Sequence, residues 1–304
     1  MSARPFEVDD LETLPIVHLV SAGAPIHAGQ VHRVWRAMVQ TPGSTEPAIP
    51  VVLKAVTTRE KLVIELACSL ASGVLKLPVP RGMLALAEPD DLPHVPSDAL
   101  TLPGLPYVLC FASVLRWPDD TAERALDDDS SISEFLWHRF CATTTGAPSA
   151  AWDELVANAD RHTGNFVFDG TRYWLIDHEL SLRPIAEAMR LMTRADTRQQ
   201  VLTHKAERNQ VAYQMLQRRP NDHGMLLQPR HFEARAKALE LFAVKMSQWR
   251  SGIPALDDLL SDTETVLRGI ILRLPALSLQ LNERISNPGG PLLWTASNDS
   301  PNKP

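Results

Sequence analysis

The residues best placed to do chemistry lie in one short stretch. Asn158-Ala159-Asp160-Arg161-His162-Thr163-Gly164-Asn165 runs into a β-prone segment that ends in Leu175-Ile176-Asp177-His178-Glu179. Phosphoryl transfer asks little covalent work of a protein: a carboxylate beside the attacking hydroxyl, and oxygen ligands for a metal ion. Asp160 offers the carboxylate. Asn165 and Asp177 offer an amide oxygen and a second carboxylate, Asp177 standing where the hydrophobic run Tyr173–Ile176 ends. Such a pair suits Mg2+, which takes a few protein oxygens and completes its shell with water and phosphate, whereas zinc prefers histidine or thiolate. Any one of the three alone would read as a turn former or a helix cap. Order, spacing and strand context together point to the chemistry.

These side chains need a hairpin to bring Asp177 back to Asn165, and the turn signal Asp169-Gly170 between two β-prone runs supplies one. Upstream, Ile16 to Val56 reads as short strands, among them Val31–Trp35 and Val51–Val56, with a hairpin loop at Thr41–Pro47. Leu62, Leu66 and Leu70 form one stripe of a helix over Arg59–Leu75. Pro78–Pro106 is proline-rich and acidic and is expected to be irregular apart from one short strand. From Thr121 helices dominate, with long ones expected over Leu191–Leu216 and His231–Trp249 and packing residues at Phe242–Met246 and Trp249. The stretch from Ser286 to Pro304 is rich in Asn, Ser, Pro and Gly and reads as a disordered tail.

Composition narrows the class. With 304 residues and 44% hydrophobic content the chain can bury a sizeable core, and a net charge of −6 gives no overall attraction to nucleic acid or anionic membrane. Met1–Thr13 lacks the pattern of a secretory signal, and the most apolar stretch, Pro106–Leu115, is too short to span a bilayer. Cys68, Cys110 and Cys141 are scattered, which argues against a disulfide framework or a structural zinc site, and a reducing cytoplasm fits best. His138 and Cys141 lie one helical turn apart without further ligands at suitable spacing. No zinc-finger or basic-region signature is present, so direct DNA reading is not expected.

Asp160-Arg161-His162 with Asn165, then Ile176-Asp177, resembles the catalytic and metal loops of phosphatidylinositol kinases and of HipA-like bacterial serine/threonine kinases. The additional Asn158 makes it more similar to the HipA-like form, Asn-x-Asp-Arg-His-x-x-Asn. Val51-Val52-Leu53-Lys54 resembles the strand that carries an ATP-binding lysine, and the helix containing Glu65, leaving through Leu75–Pro80, is similar to the one that follows it. The resemblance covers about residues 16–182, with gaps. It implies an α+β, two-lobed protein-kinase-like fold: a small β-rich N-lobe over residues 1–108 and a mostly helical C-lobe over 109–285, with ATP and Mg2+ between them. Asp160 would then deprotonate an acceptor hydroxyl, Asn165 and Asp177 would bind metal, and Lys54, paired with Glu65, would contact phosphate. A serine or threonine of a protein acceptor and a regulatory, antitoxin-like protein partner are implied too, while a small-molecule or lipid head-group acceptor, or an inert nucleotide-binding pseudokinase, keeps the same residues.

Two departures matter. No GxGxxG stands between the first strands, and the best phosphate-loop candidate is Ser21-Ala22-Gly23-Ala24-Pro25, with Ser21 and Gly23 as its ligating positions. After Asp177 stand His178 and Glu179 instead of Phe-Gly, and neither is assigned a part in transfer. Arg161 and His162 are expected to brace the loop. Arg190, Arg194 and Arg198 recur as a basic helical stripe, either a receptor for an acidic substrate or a solvated face balanced by Glu187 and Asp196. Ser21, Ser130 and Ser131 lie in expected loops open to self-modification.

Overall fold

The computed structural model describes residues 14–26, 33–117, 130–182 and 195–286. Arg190, Arg194 and residues 287–304 fall outside them, as does the side chain of Arg198.

Alternating burial in the N-terminal strands produces a sheet with one dry face. The strands are β1 (Ile16–Leu19), β2 (Ala24–Ile26), β3 (Val34–Gln40), β4 (Ile49–Ala55), β5 (Gly82–Ala87) and β6 (Val108–Val114). Their order is β1-β5-β6-β4-β3-β2, and β1 pairs with β3 as well, so five of the strands close into a ring. β1 runs parallel to β5, with Ile16 opposite Leu84, and antiparallel to β3, with His18 opposite Gln40. Closure leaves no open edge along most of the sheet. Inside the ring pack Val17, Trp35, Val39, Val51, Leu53, Met83, Cys110 and Ala112, a core separate from the larger one below. The border expected near Val108 falls at the first residue of β6, a strand that pairs with both β4 and β5 and so belongs to this sheet.

Because side chains alternate, Lys54 points to the opposite face from Leu53. On that outer face lies α1 (Arg59–Leu75), started by Thr58, whose hydroxyl accepts from the Lys61 amide, and ended by Lys76 in the left-handed conformation. Its approach depends on Gly82: a Cβ there would fall 2.6 Å from both the Phe111 ring and Ser69 Oγ. α1 is buried along almost its whole length, between the sheet and the C-terminal helix.

The remaining described chain is helical apart from one hairpin: α2 (Ser130–Ala142), α3 (Gly146–Leu155), β7 (Phe166–Phe168), β8 (Tyr173–Leu175), α4 (Ala195–Thr203), α5 (Gln210–Arg218), α6 (Gly224–Glu233), α7 (Ala236–Gln248) and α8 (Pro254–Ser286). α8 has 33 residues and touches α1, α3, α4, α6 and α7. From it, buried Arg273 donates to the carbonyls of Glu154, Leu155, Val201 and His204, closing the ends of α3 and α4. The helix expected over Leu191–Leu216 is therefore interrupted: Arg273 takes the last carbonyls of α4, and Asn209 caps a new start for α5. The one expected over His231–Trp249 likewise divides, at Ala234–Arg235. No helix among the described residues is long and apolar enough to cross a membrane.

Candidate active site

Lys54 leaves β4 toward three carboxylates. Its Nζ lies 3.2 Å from Glu65 Oε1, 2.8 Å from Asp177 Oδ1 and 2.8 Å from Glu179 Oε2. Glu65 comes from the second turn of α1, Asp177 from the exit of β8, and Glu179 from two residues further on. Lys61, one helical turn before Glu65, reaches Glu179 Oε1 at 3.1 Å. The carboxylate oxygens of Glu65, Asp177 and Glu179 all lie within 4.8 Å of one another. Burial alone would lower the pKa of Lys54, but the charges of Glu65, Asp177 and Glu179 outweigh it and hold the ammonium above its ordinary value. For Glu65 burial dominates, and despite Lys54 its carboxyl is pushed up to about 7.

Asp177 takes a left-handed backbone, φ +60°, which aspartate tolerates better than a β-branched residue. That turn lifts its carboxylate from the strand exit toward Lys54, while the next amide, His178 N–H, donates to Glu65 Oε2 at 3.1 Å. Its side chain remains 37% exposed, so the carboxylate faces the open side of the cluster.

Beneath this cluster, the loop 158–165 is fixed by a buried pair. Arg161 meets Asp153 of α3 with two hydrogen bonds, Nε to Oδ2 at 3.1 Å and Nη2 to Oδ1 at 3.0 Å. Its Nη1 donates to the carbonyls of Asn165 and Ile176, binding the two arms of the β7–β8 hairpin together where they open. Trp152 Nε1 and Arg161 Nη2 both contact His178 Nε2 at 3.1 Å, and both groups can only donate, so that nitrogen accepts and the ring proton sits on Nδ1. Burial, with the charge of Arg161, keeps His178 neutral, its pKa well below the usual range. His162 stays at the surface and accepts from the Gly164 amide, a bracing role as expected.

The catalytic-loop geometry follows from these anchors. Asn158 Oδ1 accepts from the Asp160 amide, and its Nδ2 donates to Asp153. Asn165 Nδ2 donates to the Asp160 carbonyl, and the Asn165 carbonyl accepts from the Ile176 amide, so one side-chain and one backbone bond lead from Asp160 through Asn165 to the residue before Asp177. The Asp160 carboxylate, half-buried, accepts no hydrogen bond among the described residues, and Asn165 Oδ1 likewise has none. The loop thus offers an open carboxylate and an open amide oxygen. With the oxygens of Asp177, Glu65 and Glu179, this donor set fits a hard cation.

Lys54, Glu65, Asp160, Asn165 and Asp177 are thus gathered by direct contact or through this short chain of bonds. Ser21 and Gly23 are not. Ala24 stands opposite Arg36, level with Val52, and Val20 bonds Met38, level with Pro50, so the Ser21–Gly23 bend sits roughly 7–13 Å along the strands from Lys54. The Gly23 amide donates to the Asp91 carbonyl at 2.9 Å, and a Cβ there would meet Trp35 and Leu92 at 3.0 Å. This glycine serves packing, and Ser21 is exposed. Ile26 and Val34 are the residues level with Lys54, and residues 27–32 between them lie outside the described residues. Sequence reasoning also passed over Glu179, Lys61 and Asp153. Lys61 and Glu65, four apart, share one helix face, and that spacing was the available signal.

No protein-family model and no curated protein sequence matches this chain. Among solved structures it is similar to the Helicobacter pylori proinflammatory kinase CtkA, at 11% identity and a TM-score of 0.49, covering 88% of this chain and 99% of that one. An overlap that loose carries no functional assignment.

Proposed function

We propose that the chain is an ATP- and Mg2+-dependent phosphotransferase to an alcohol group, of the HipA-like serine/threonine kinase type, with a two-lobed cleft between the β-ring and the helices. The observation that carries this reading is Lys54, on a strand of the ring, held by Glu65 of α1 and Asp177 at the β8 exit, with the open Asp160 carboxylate on the loop bonded to that exit. A lysine in that position neutralises phosphate charge, and Glu65 keeps it from collapsing elsewhere.

Asp177 and Asn165 would hold Mg2+, with Glu179 in reach as a further oxygen donor, and the ion would offset the negative charge of the phosphates when bound. Asp160 orients the acceptor hydroxyl and accepts its proton. As the acceptor oxygen bonds to the γ-phosphorus, the bridging P–O bond breaks and ADP leaves with that electron pair. Asn158 fixes the Asp160 amide while tied to Asp153, which supports the HipA-like form of the motif over the lipid-kinase form. A serine or threonine of a protein, and a regulatory protein partner, belong to the same proposal.

The test is an acceptor screen with γ-labelled ATP and Mg2+, using lysate proteins, lipid head groups and small alcohols. Label on protein serine or threonine supports the reading. Label on small alcohols alone removes the protein-kinase assignment, and Mg2+-dependent ATP binding without any transfer makes the chain a pseudokinase.

A further inference from the structure

The turn that aims Asp177 is held by the residue after it. Asp177 and Leu182 both take left-handed backbones, φ +60° and +51°, and between them the chain is tied down at His178. Its amide donates to Glu65 Oε2 at 3.1 Å, its carbonyl accepts from the Ser181 amide at 2.9 Å, and its Nε2 accepts from Trp152 Nε1 and from Arg161 Nη2, each at 3.1 Å. The residue is 2% exposed, and its other ring nitrogen, Nδ1, lies 3.9 Å from Glu65 Oε2. One residue thus meets α1, α3 and the loop that carries Asp160.

A side chain that only filled the core would need no acceptor at this point. Arg161 has Asp153 as a partner with or without His178, but among the described residues Nε2 is the sole acceptor for Trp152 Nε1. Two donors converging on one nitrogen fix the tilt of the ring as well as its place, which the packing of an apolar ring does not. The Asp177 carboxylate hangs from the neighbouring Cα, so that tilt sets where it stands relative to Asp160. We infer that His178 is a positioning residue for phosphotransfer: held by Trp152 and Arg161, it keeps the metal-binding turn at Asp177, and through its amide Glu65, in register with the Asp160 loop. It acts through Asp177 and Glu65 and not on the substrate itself. The inference rests on the phosphotransferase reading and extends it to a residue outside the reacting groups. Misplacing such groups by about 1 Å costs on the order of 10²-fold in rate, so its loss should appear in kcat.

The test compares full-length wild type, His178→Phe and His178→Gln by steady-state, Mg2+-dependent transfer or release of the γ-phosphate of ATP per folded molecule, beside hydrogen exchange over the segments holding Glu65 and Asp177. His178→Phe should lower kcat about 10- to 100-fold with KM for ATP within about threefold, and His178→Gln, whose Oε1 can accept both bonds, should stay within about fivefold of wild type. Exchange around Glu65 and Asp177 should rise about tenfold in His178→Phe and little in His178→Gln. Unchanged kcat in His178→Phe, equal losses in both variants, or a rise in KM alone overturns the inference. Absence of turnover in the wild type removes the phosphotransferase reading instead, and exchange then decides the rest: no change around Glu65 in His178→Phe overturns the coupling, and faster exchange there supports it in a chain without that activity.

Discussion

Two charge networks meet at Glu65 and His178, and they are built on opposite plans. In the lower one Asp153 faces Arg161 in a two-bond, fully buried pair, Asn158 and Trp152 fill further positions, and His178 stays neutral. In the upper one, three carboxylates share two ammonium groups and one of the acids is more than a third exposed, while on the loop below the Asp160 carboxylate accepts no hydrogen bond among the described residues. A balanced buried pair fixes a conformation, and removing one partner leaves an uncompensated charge. An excess of carboxylates around one lysine instead stores negative potential for a cation to relieve. The difference separates the part of the molecule that holds the loop from the part proposed to react.

The largest expected effect follows from the reactive side. Asp160→Ala should lower phosphotransfer by about 10²–10⁴-fold while ATP affinity, read by calorimetry, stays within about threefold. A matching loss of ATP affinity would move Asp160 from chemistry to binding. On the structural side, Asp153→Ala should destabilise the fold by about 3–5 kcal/mol, read by urea unfolding, because Arg161 is left buried and unpaired. Asp160→Ala, with no hydrogen bond to that carboxylate among the described residues, should change stability by less than about 0.5 kcal/mol.

Glu65 belongs to both networks, and pH exposes it. Its folded pKa is raised from 4.5 to about 7, so its contribution to stability is present below about 4.5 and is lost as pH rises through about 7. Compared with Glu65→Gln, the wild type should therefore lose up to about 3 kcal/mol of stability across that window. Neutral His178 drifts the other way with pH, but it is common to both proteins and cancels in the difference. A flat difference would mean that Glu65 is ionised throughout. The smallest effect is expected from Lys61→Met, about three- to tenfold in turnover with little change in stability, since Lys61 meets the cluster at Glu179 and not at Asp177 or Asp160 among the described contacts.

The grouping of the proposed reactive side was the more legible in the sequence. Asp160, Asn165 and Asp177 sit within one local stretch, where spacing along a loop and hairpin fixes proximity, and Lys54 ends an apolar strand. What escaped depends on partners far along the chain. Glu179 acquires its role only when β4 and α1 bring Lys54 and Lys61 to it, 125 and 118 residues away in sequence. Asp153 reads as an ordinary helix residue until Arg161 folds back on it. Ser21 and Gly23 stand apart from Lys54 because the strand register carries their bend away from it, and β1 closing the ring between β5 and β3 leaves no mark in local periodicity.

The most direct measurement of the central claim is Mg2+-dependent release or transfer of the γ-phosphate of labelled ATP by wild type, Asp177→Asn and Asp153→Asn, each normalised to the folded fraction. The account predicts turnover in wild type, none above background in Asp177→Asn, and per folded molecule a much smaller loss in Asp153→Asn. Equal turnover in wild type and Asp177→Asn would contradict it.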